Sequence, residues 1–124
     1  MFKKRWGRIG DSPVIGAGTY ADNNSCAVSC TGHGEYFIRH AVAFDVCARY
    51  KYLKESVEKA ADYIIHTELN TNAGNGGLIA VDKLGNIAMP YNSGGMFRGF
   101  LYKEKGSPEI KKGCGIGKKI VVVG

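Results

Sequence analysis

The sequence predicts an α+β fold, with helices packed on one face of a largely antiparallel sheet. Three observations predict it. The 124 residues set a prior of one domain at most. Hydrophobic residues at 44% and charged residues at 23% give a globular balance rather than a disordered one. Strand-like segments then come in runs on either side of two helical segments, instead of alternating with them, which separates α+β from α/β.

The first strand pair covers residues 14–21 and 26–31, apolar and small residues separated by Asp22-Asn23-Asn24-Ser25, a strong turn signal. A glycine-rich bend, Thr31-Gly32-His33-Gly34-Glu35, leads into a segment over 35–50 that is apolar nearly all round. There Phe37, Ala41, Phe44 and Ala48 share one helical face, with Ile38, Val42 and Val46 beside it. A helix of that kind belongs inside a layered structure. The second helix, over 57–69, places Val57, Ala60, Ala61, Ile64, Ile65 and Leu69 on one stripe. Ser56 is its natural N-cap, and Asn70, Asn72 and Gly74 end it. A second hairpin follows, 78–81 and 87–89 around the turn 82–86, and a third apolar piece over 96–102 is expected to pair beside it. Residues 120–123, Ile-Val-Val-Val, offer one more strand and an aggregation liability if exposed.

Strands 14–21 and 26–31 carry apolar residues on both faces, whereas a sheet covered on one side only should alternate. Its second face is therefore expected to pack on something these residues do not supply, and to drive dimers or aggregates when uncovered. The formal charge of +6 is concentrated at the ends. Lys3, Lys4 and Arg5 open the chain, six lysines stand in residues 103–124, and residues 6–102 carry eight basic against nine acidic side chains. Nucleic-acid binders carry a basic stripe on the folded surface, so this pattern disfavours that function and reads as solvated ends. No apolar run approaches a membrane span, and the basic start lacks the apolar region of a secretory signal. The four cysteines accordingly read as reduced thiols in a cytoplasmic protein.

Three clusters could carry chemistry. In Gly7-Arg8-Ile9-Gly10-Asp11-Ser12-Pro13, a guanidinium and a carboxylate three residues apart suit the two ends of a zwitterion, or else pair with each other to close a turn. In 31–35, glycines after a strand expose backbone N–H groups to an anion or developing oxyanion, or simply make a strand-to-helix turn. His33, with no identifiable partner, reads as structural or solvent-facing rather than as a base. The third, Asn92-Ser93-Gly94-Gly95-Met96-Phe97-Arg98-Gly99, is either a loop near a site or the end of a hairpin. Cys26 and Cys30 face the same way on their strand, but no Cys or His completes a zinc set. Residues 113–119 miss a phosphate loop because Lys119 stands where Ser or Thr is required. No Gly-x-Ser-x-Gly elbow or His-Glu-x-x-His is present, and no residue is an evident nucleophile.

Together these clusters closely resemble the isoaspartyl peptidase/L-asparaginase family, the plant-type asparaginases among the N-terminal-nucleophile hydrolases. The resemblance rests on Lys4-Arg5-Trp6-Gly7-Arg8-Ile9-Gly10-Asp11-Ser12-Pro13-Val14-Ile15-Gly16-Ala17-Gly18-Thr19-Tyr20-Ala21 and on Ser29-Cys30-Thr31-Gly32-His33-Gly34-Glu35. Gly76-Gly77-Leu78-Ile79-Ala80-Val81-Asp82 and residues 92–99 extend it. It implies a four-layer αββα sandwich, two sheets face to face with helices outside, of which this chain would be part. It also implies a precursor that cleaves itself to free a threonine at the start of a β subunit. That threonine attacks the side-chain amide of asparagine or of a β-aspartyl dipeptide, with its own α-amine as base. Carried over residue by residue, Arg8 would bind the substrate α-carboxylate and Asp11 its α-ammonium. The Thr31 hydroxyl and Gly32 N–H would form the oxyanion hole, with Gly32 and the Gly34 backbone also touching substrate. No cofactor is implied and no metal ligand among these residues; any sodium-binding loop of the family would belong to the α subunit.

The family's threonine-led strand and α subunit have no counterpart in these residues. The expectation is therefore a C-terminal β-subunit fragment over 1–102, with a basic, loosely ordered tail over 103–124. Such a chain would be inactive alone. Its partners would be the missing α subunit and β-subunit start, within a homodimer of such heterodimers. A different class of function, a non-catalytic module binding aspartate-like amino acids through Arg8 and Asp11, fits the same clamp.

Overall fold

The computed structural model describes residues 5–117 and 121–123. Lys3 and Lys4, Lys118 and Lys119, and Ile120 of the apolar run lie outside the described residues. Two compact units make up the chain, Met1–Asn92 and Ser93–Gly124.

In the first unit, β1 (Thr19–Ala21), β2 (Cys26–Gly32), β3 (Gly76–Asp82) and β4 (Ile87–Ala88) form an antiparallel sheet in that order. The register sets Tyr20 opposite Val28, Cys30 opposite Leu78 and Ala80 opposite Ala88. Aspartates make both turns. The Asp22 carboxylate accepts the Asn24 N–H at 2.9 Å, and the Asp82 carboxylate accepts those of Leu84 and Asn86, each at 2.9 Å. Helices α1 (Gly34–Arg39), α2 (Val42–Tyr52) and α3 (Val57–Tyr63) connect β2 to β3, and α3 continues as a π-helical segment, Ile64–Leu69. Ser56 caps α3 by accepting the Lys59 N–H at 3.2 Å, as its sequence position predicts.

One core results. Val28 and Cys30 of β2 and Leu78 and Ala80 of β3 bury their side chains among Phe37, Val42, Val46, Val57, Ile64, Ile65 and Leu69 from the helices. The fold is thus α+β with a helical layer on one sheet face. Ser29, Thr31, Ile79 and Val81 occupy the other face, where Ile79 and Val81 are 47% and 43% exposed.

Four expectations change. The stretch 14–18 is a turn rather than strand: Gly16 takes φ +90°, and Ala17 and Gly18 both donate to the Val14 carbonyl. The single helix expected over 35–50 is broken at Ala41, which lies in the left-handed region at φ +46°. That break lets α2 start afresh, with the Ala43 and Phe44 N–H groups donating to the Ala17 and Gly16 carbonyls at 3.0 and 2.9 Å. The third apolar piece does not join β4. Instead, β5 (Arg98–Lys103), β6 (Ile110–Gly115) and β7 (Val121–Val123) form a separate antiparallel sheet, which constitutes the second unit. Finally, Cys26 and Cys47 are joined as a disulfide, with Cα atoms 5.5 Å apart, where the sequence suggested free thiols. The α2 register brings Cys47 onto β2, a proximity that spacing along the chain does not encode.

Candidate functional site

The chain from Arg8 to Gly18 folds back onto the end of β2. Cys30 donates its N–H to the Gly18 carbonyl at 2.8 Å, which fastens the loop to the strand. Asp11 is buried at 5% exposure, and its backbone carbonyl accepts the Val14 N–H at 2.9 Å. Two glycines make this burial sterically feasible. A Cβ on Gly18 would lie 2.8 Å from the Ser12 nitrogen, and one on Gly34 would lie 3.0 Å from the Asp11 carboxylate Oδ1. The first and second clusters of the sequence therefore meet, with Asp11 against the first residue of α1.

One Asp11 oxygen, Oδ2, is buried without a hydrogen-bond partner. A buried carboxylate left in that state is costly unless a cation or donor reaches it. Its charge is also felt by Cys30: burial pushes that thiol's pKa up, and the nearby Asp11 carboxylate adds to the effect. Both effects disfavour the thiolate form that nucleophilic chemistry requires of a cysteine.

Arg8 is solvent-exposed and approaches Glu35 of α1 at 4.0 Å. At that distance, with side chains 54% and 61% exposed, the contact contributes little energy and leaves the guanidinium available. The local alternative, an Arg8–Asp11 pair closing the turn, is not the arrangement found, since Arg8 turns to Glu35. Glu35 is the partner that sequence reasoning missed. Its position in the 31–35 bend was the available signal.

Thr31 and Gly32 end β2, opposite Gly77 and Gly76 of β3. Thr31 is exposed. Gly32 takes φ +143°, and a Cβ there would lie 2.6 Å from the Gly76 Cα and 3.0 Å from the Phe37 ring. Only glycine lets the two backbones approach so closely at this end of the sheet. His33 is exposed, provides no side-chain cap to α1, and has its ring 6.3 Å from that of Tyr36. The third cluster is divided: Asn92 belongs to the first unit and residues 93–99 to the second. Among the described residues no group of three or more His, Cys, Asp or Glu side chains could hold a metal, and no helix is long and apolar enough to cross a membrane.

Fold and site define an α+β chain of antiparallel sheets that sets a buried carboxylate, one oxygen of it without a hydrogen-bond partner, beside a glycine-lined strand end. A family model described as Asparaginase matches residues 1–110. The chain belongs to the asparaginase family. It is 50% identical over 102 residues to an isoaspartyl peptidase of Salmonella typhimurium, covering 82% of this chain and 33% of that protein. It is 45% identical over 116 residues to the isoaspartyl peptidase of Escherichia coli, covering 86% and 36%. With the human isoaspartyl peptidase/L-asparaginase it shares 42% identity over 96 residues, covering 77% and 31%. The chain spans about a third of the length of these curated relatives.

Proposed function

We propose that these residues form the substrate-gripping part of a β-aspartyl peptidase/L-asparaginase, a threonine-type amidohydrolase acting on asparagine and β-aspartyl dipeptides. The observation that carries this reading is the buried Asp11 carboxylate with one oxygen unsatisfied. An α-ammonium group would supply the missing donors and the compensating charge at once. Arg8, exposed and only loosely engaged by Glu35, would take the α-carboxylate, with the Gly34 backbone beside it. Thr31 and the Gly32 N–H would stabilise the oxyanion that develops on the amide carbonyl. The nucleophile, a threonine using its own amine as base, would come from a segment other than these residues.

The same proposal includes the four-layer sandwich. The outward face of β2 and β3, with Ile79 and Val81 half exposed, would pack on a second sheet contributed by the α subunit and the start of the β subunit. Two such heterodimers would make the full enzyme. Residues 1–102 would carry the function and residues 103–124 would be dispensable to it. A cytoplasmic location also belongs to this reading.

Calorimetric titration of the 124-residue chain with L-aspartate tests the clamp. Binding is expected, weakened at least tenfold by Asp11→Asn and by Arg8→Ala and unchanged by removal of residues 103–124. Absence of binding would overturn the clamp. The chain alone is expected to release no ammonia from asparagine, and measurable release would overturn the placement of the nucleophile elsewhere. The wholly local clamp equally supports a binding module for aspartate-like amino acids. That reading predicts the same titration, but still no turnover after the α subunit and β-subunit start are supplied.

A further inference from the structure

We propose that Asn92 is a positioning residue for the Thr31–Gly32 end of β2, an inference that rests on the oxyanion role proposed for that end. Asn92 holds both polar backbone groups of Gly76. Its side-chain Oδ1 accepts the Gly76 N–H at 2.8 Å, and its own N–H donates to the Gly76 carbonyl at 2.9 Å. Its Nδ2 donates to the Gly74 carbonyl at 3.0 Å, to the Asn70 Oδ1 at 2.7 Å and to the Ile65 carbonyl at 3.3 Å. One half-buried amide thus joins the π-helical segment, the turn after it and the first residue of β3.

What Asn92 fixes on one side bears on Gly32 from the other. Gly76 is the register partner of Gly32, and a Cβ on Gly76 would lie 2.9 Å from the Gly32 Cα. Asn75, between the two residues Asn92 grips, accepts the His33 N–H at 2.9 Å through its carbonyl. The backbone on both sides of the Gly32 carbonyl therefore rests on the 74–76 segment. With no side chain on Gly32 or Gly76 to absorb a shift, a displacement of Gly76 passes directly to Gly32. The Gly74 N–H, bonded to the Leu69 carbonyl at 2.7 Å, completes the frame. A mere hairpin end would not need an amide with all its hydrogen-bonding atoms engaged across three elements.

Amide hydrogen exchange of the ¹⁵N-labelled chain, wild type against Asn92→Ala, is the test. Exchange at Gly76 and His33 is expected to quicken at least tenfold, with the Gly32 amide resonance displaced. Exchange at Cys30 and Asp82, bonded to Gly18 and Asn86, should hold. Unaltered His33 exchange with a fixed Gly32 resonance would overturn the proposal, and so would uniform acceleration throughout the first unit, the mark of a purely structural role. If Asn92→Ala does not fold, Asn70→Ala decides, because it removes a single partner of the Asn92 amide. It is expected to move the Gly32 and His33 resonances, and their constancy would overturn the proposal. An L-aspartate titration of wild type, followed in the same spectra, reports on the clamp separately: its failure would leave the exchange comparison intact.

Discussion

The two units are built from the same antiparallel pairing but differ in what lies on their sheets. In the first, β2 and β3 alternate buried and more exposed residues, because three helices and a π-helical segment cover one face. In the second, β5 reads half-buried or exposed at every position from Arg98 to Lys103. Backbone ladders close the hydrogen bonds in both, yet β2 and β3 bury Val28, Cys30 and Leu78 while β5 leaves Leu101 68% exposed. Pairing gives a strand its neighbours, whereas burial supplies most of the free energy that holds it there.

Substitutions at matched positions would sharpen that contrast. Phe37 is fully buried and its ring abuts Gly32 and Gly76, so Phe37→Ala should cost roughly 3–5 kcal/mol. The helical signal at 222 nm during urea unfolding measures this loss, since every helix described lies in the first unit. Leu101, 68% exposed on β5, should tolerate Leu101→Ser within about 0.5 kcal/mol. A large loss there would show a buried role for the second sheet. Next in size, Cys26→Ala with Cys47→Ala opens the disulfide across a separation of 21 residues and should lower first-unit stability by about 3 kcal/mol relative to the oxidised form. Reduction of the native chain should reproduce most of it. Ser56→Ala, which deletes the α3 cap, should cost about 1 kcal/mol by the same measurement.

The smallest effect concerns pH. The Asn24 N–H, and then Lys51 at 3.1 Å, hold the Asp22 carboxyl below its usual range. A carboxylate with a depressed folded-state pKa contributes stability above the ordinary aspartate range and loses it as pH falls through the folded value. Asp45 works in the opposite sense. Desolvation raises its pKa against the opposing pull of Arg49, so protonation relieves a cost as pH falls. Asp22→Asn should therefore remove part of the acid-side loss below about pH 4, and Asp45→Asn should steepen the net decline. Thermal midpoints between pH 2.5 and 6 would show both.

Local chemistry made much of this architecture legible. The Asp22 and Asp82 turns, the Ser56 cap and the apolar stripe of 57–69 each depend on residues within a few positions of one another. Non-local features were not legible. The break at Ala41 follows from carbonyls of residues 16 and 17 that cap α2, yet the apolar pattern runs through it unbroken. Likewise, periodicity cannot register the widening to a π-helix. The structure shows its cost being met by Asn70, Thr71 and Asn72, whose side chains donate to the carbonyls of His66, Thr67 and Glu68. At the site, the motif residues Arg8, Asp11, Thr31, Gly32 and Gly34 could be named from resemblance, but the Glu35 contact and the unsatisfied Asp11 oxygen exist only in three dimensions. Asn92 stood in a motif whose purpose stayed open, because four of its five bonds reach residues 16 to 27 positions away through its side chain.

The bond between Cys26 and Cys47 has a topological outcome as well as an energetic one. It encloses Thr31, Gly32, Gly34 and all of α1 in a covalent ring. A cut in the chain beside the exposed His33 would, under oxidising conditions, leave both halves tethered. Under reducing conditions the same cut would sever the chain into two separate peptides.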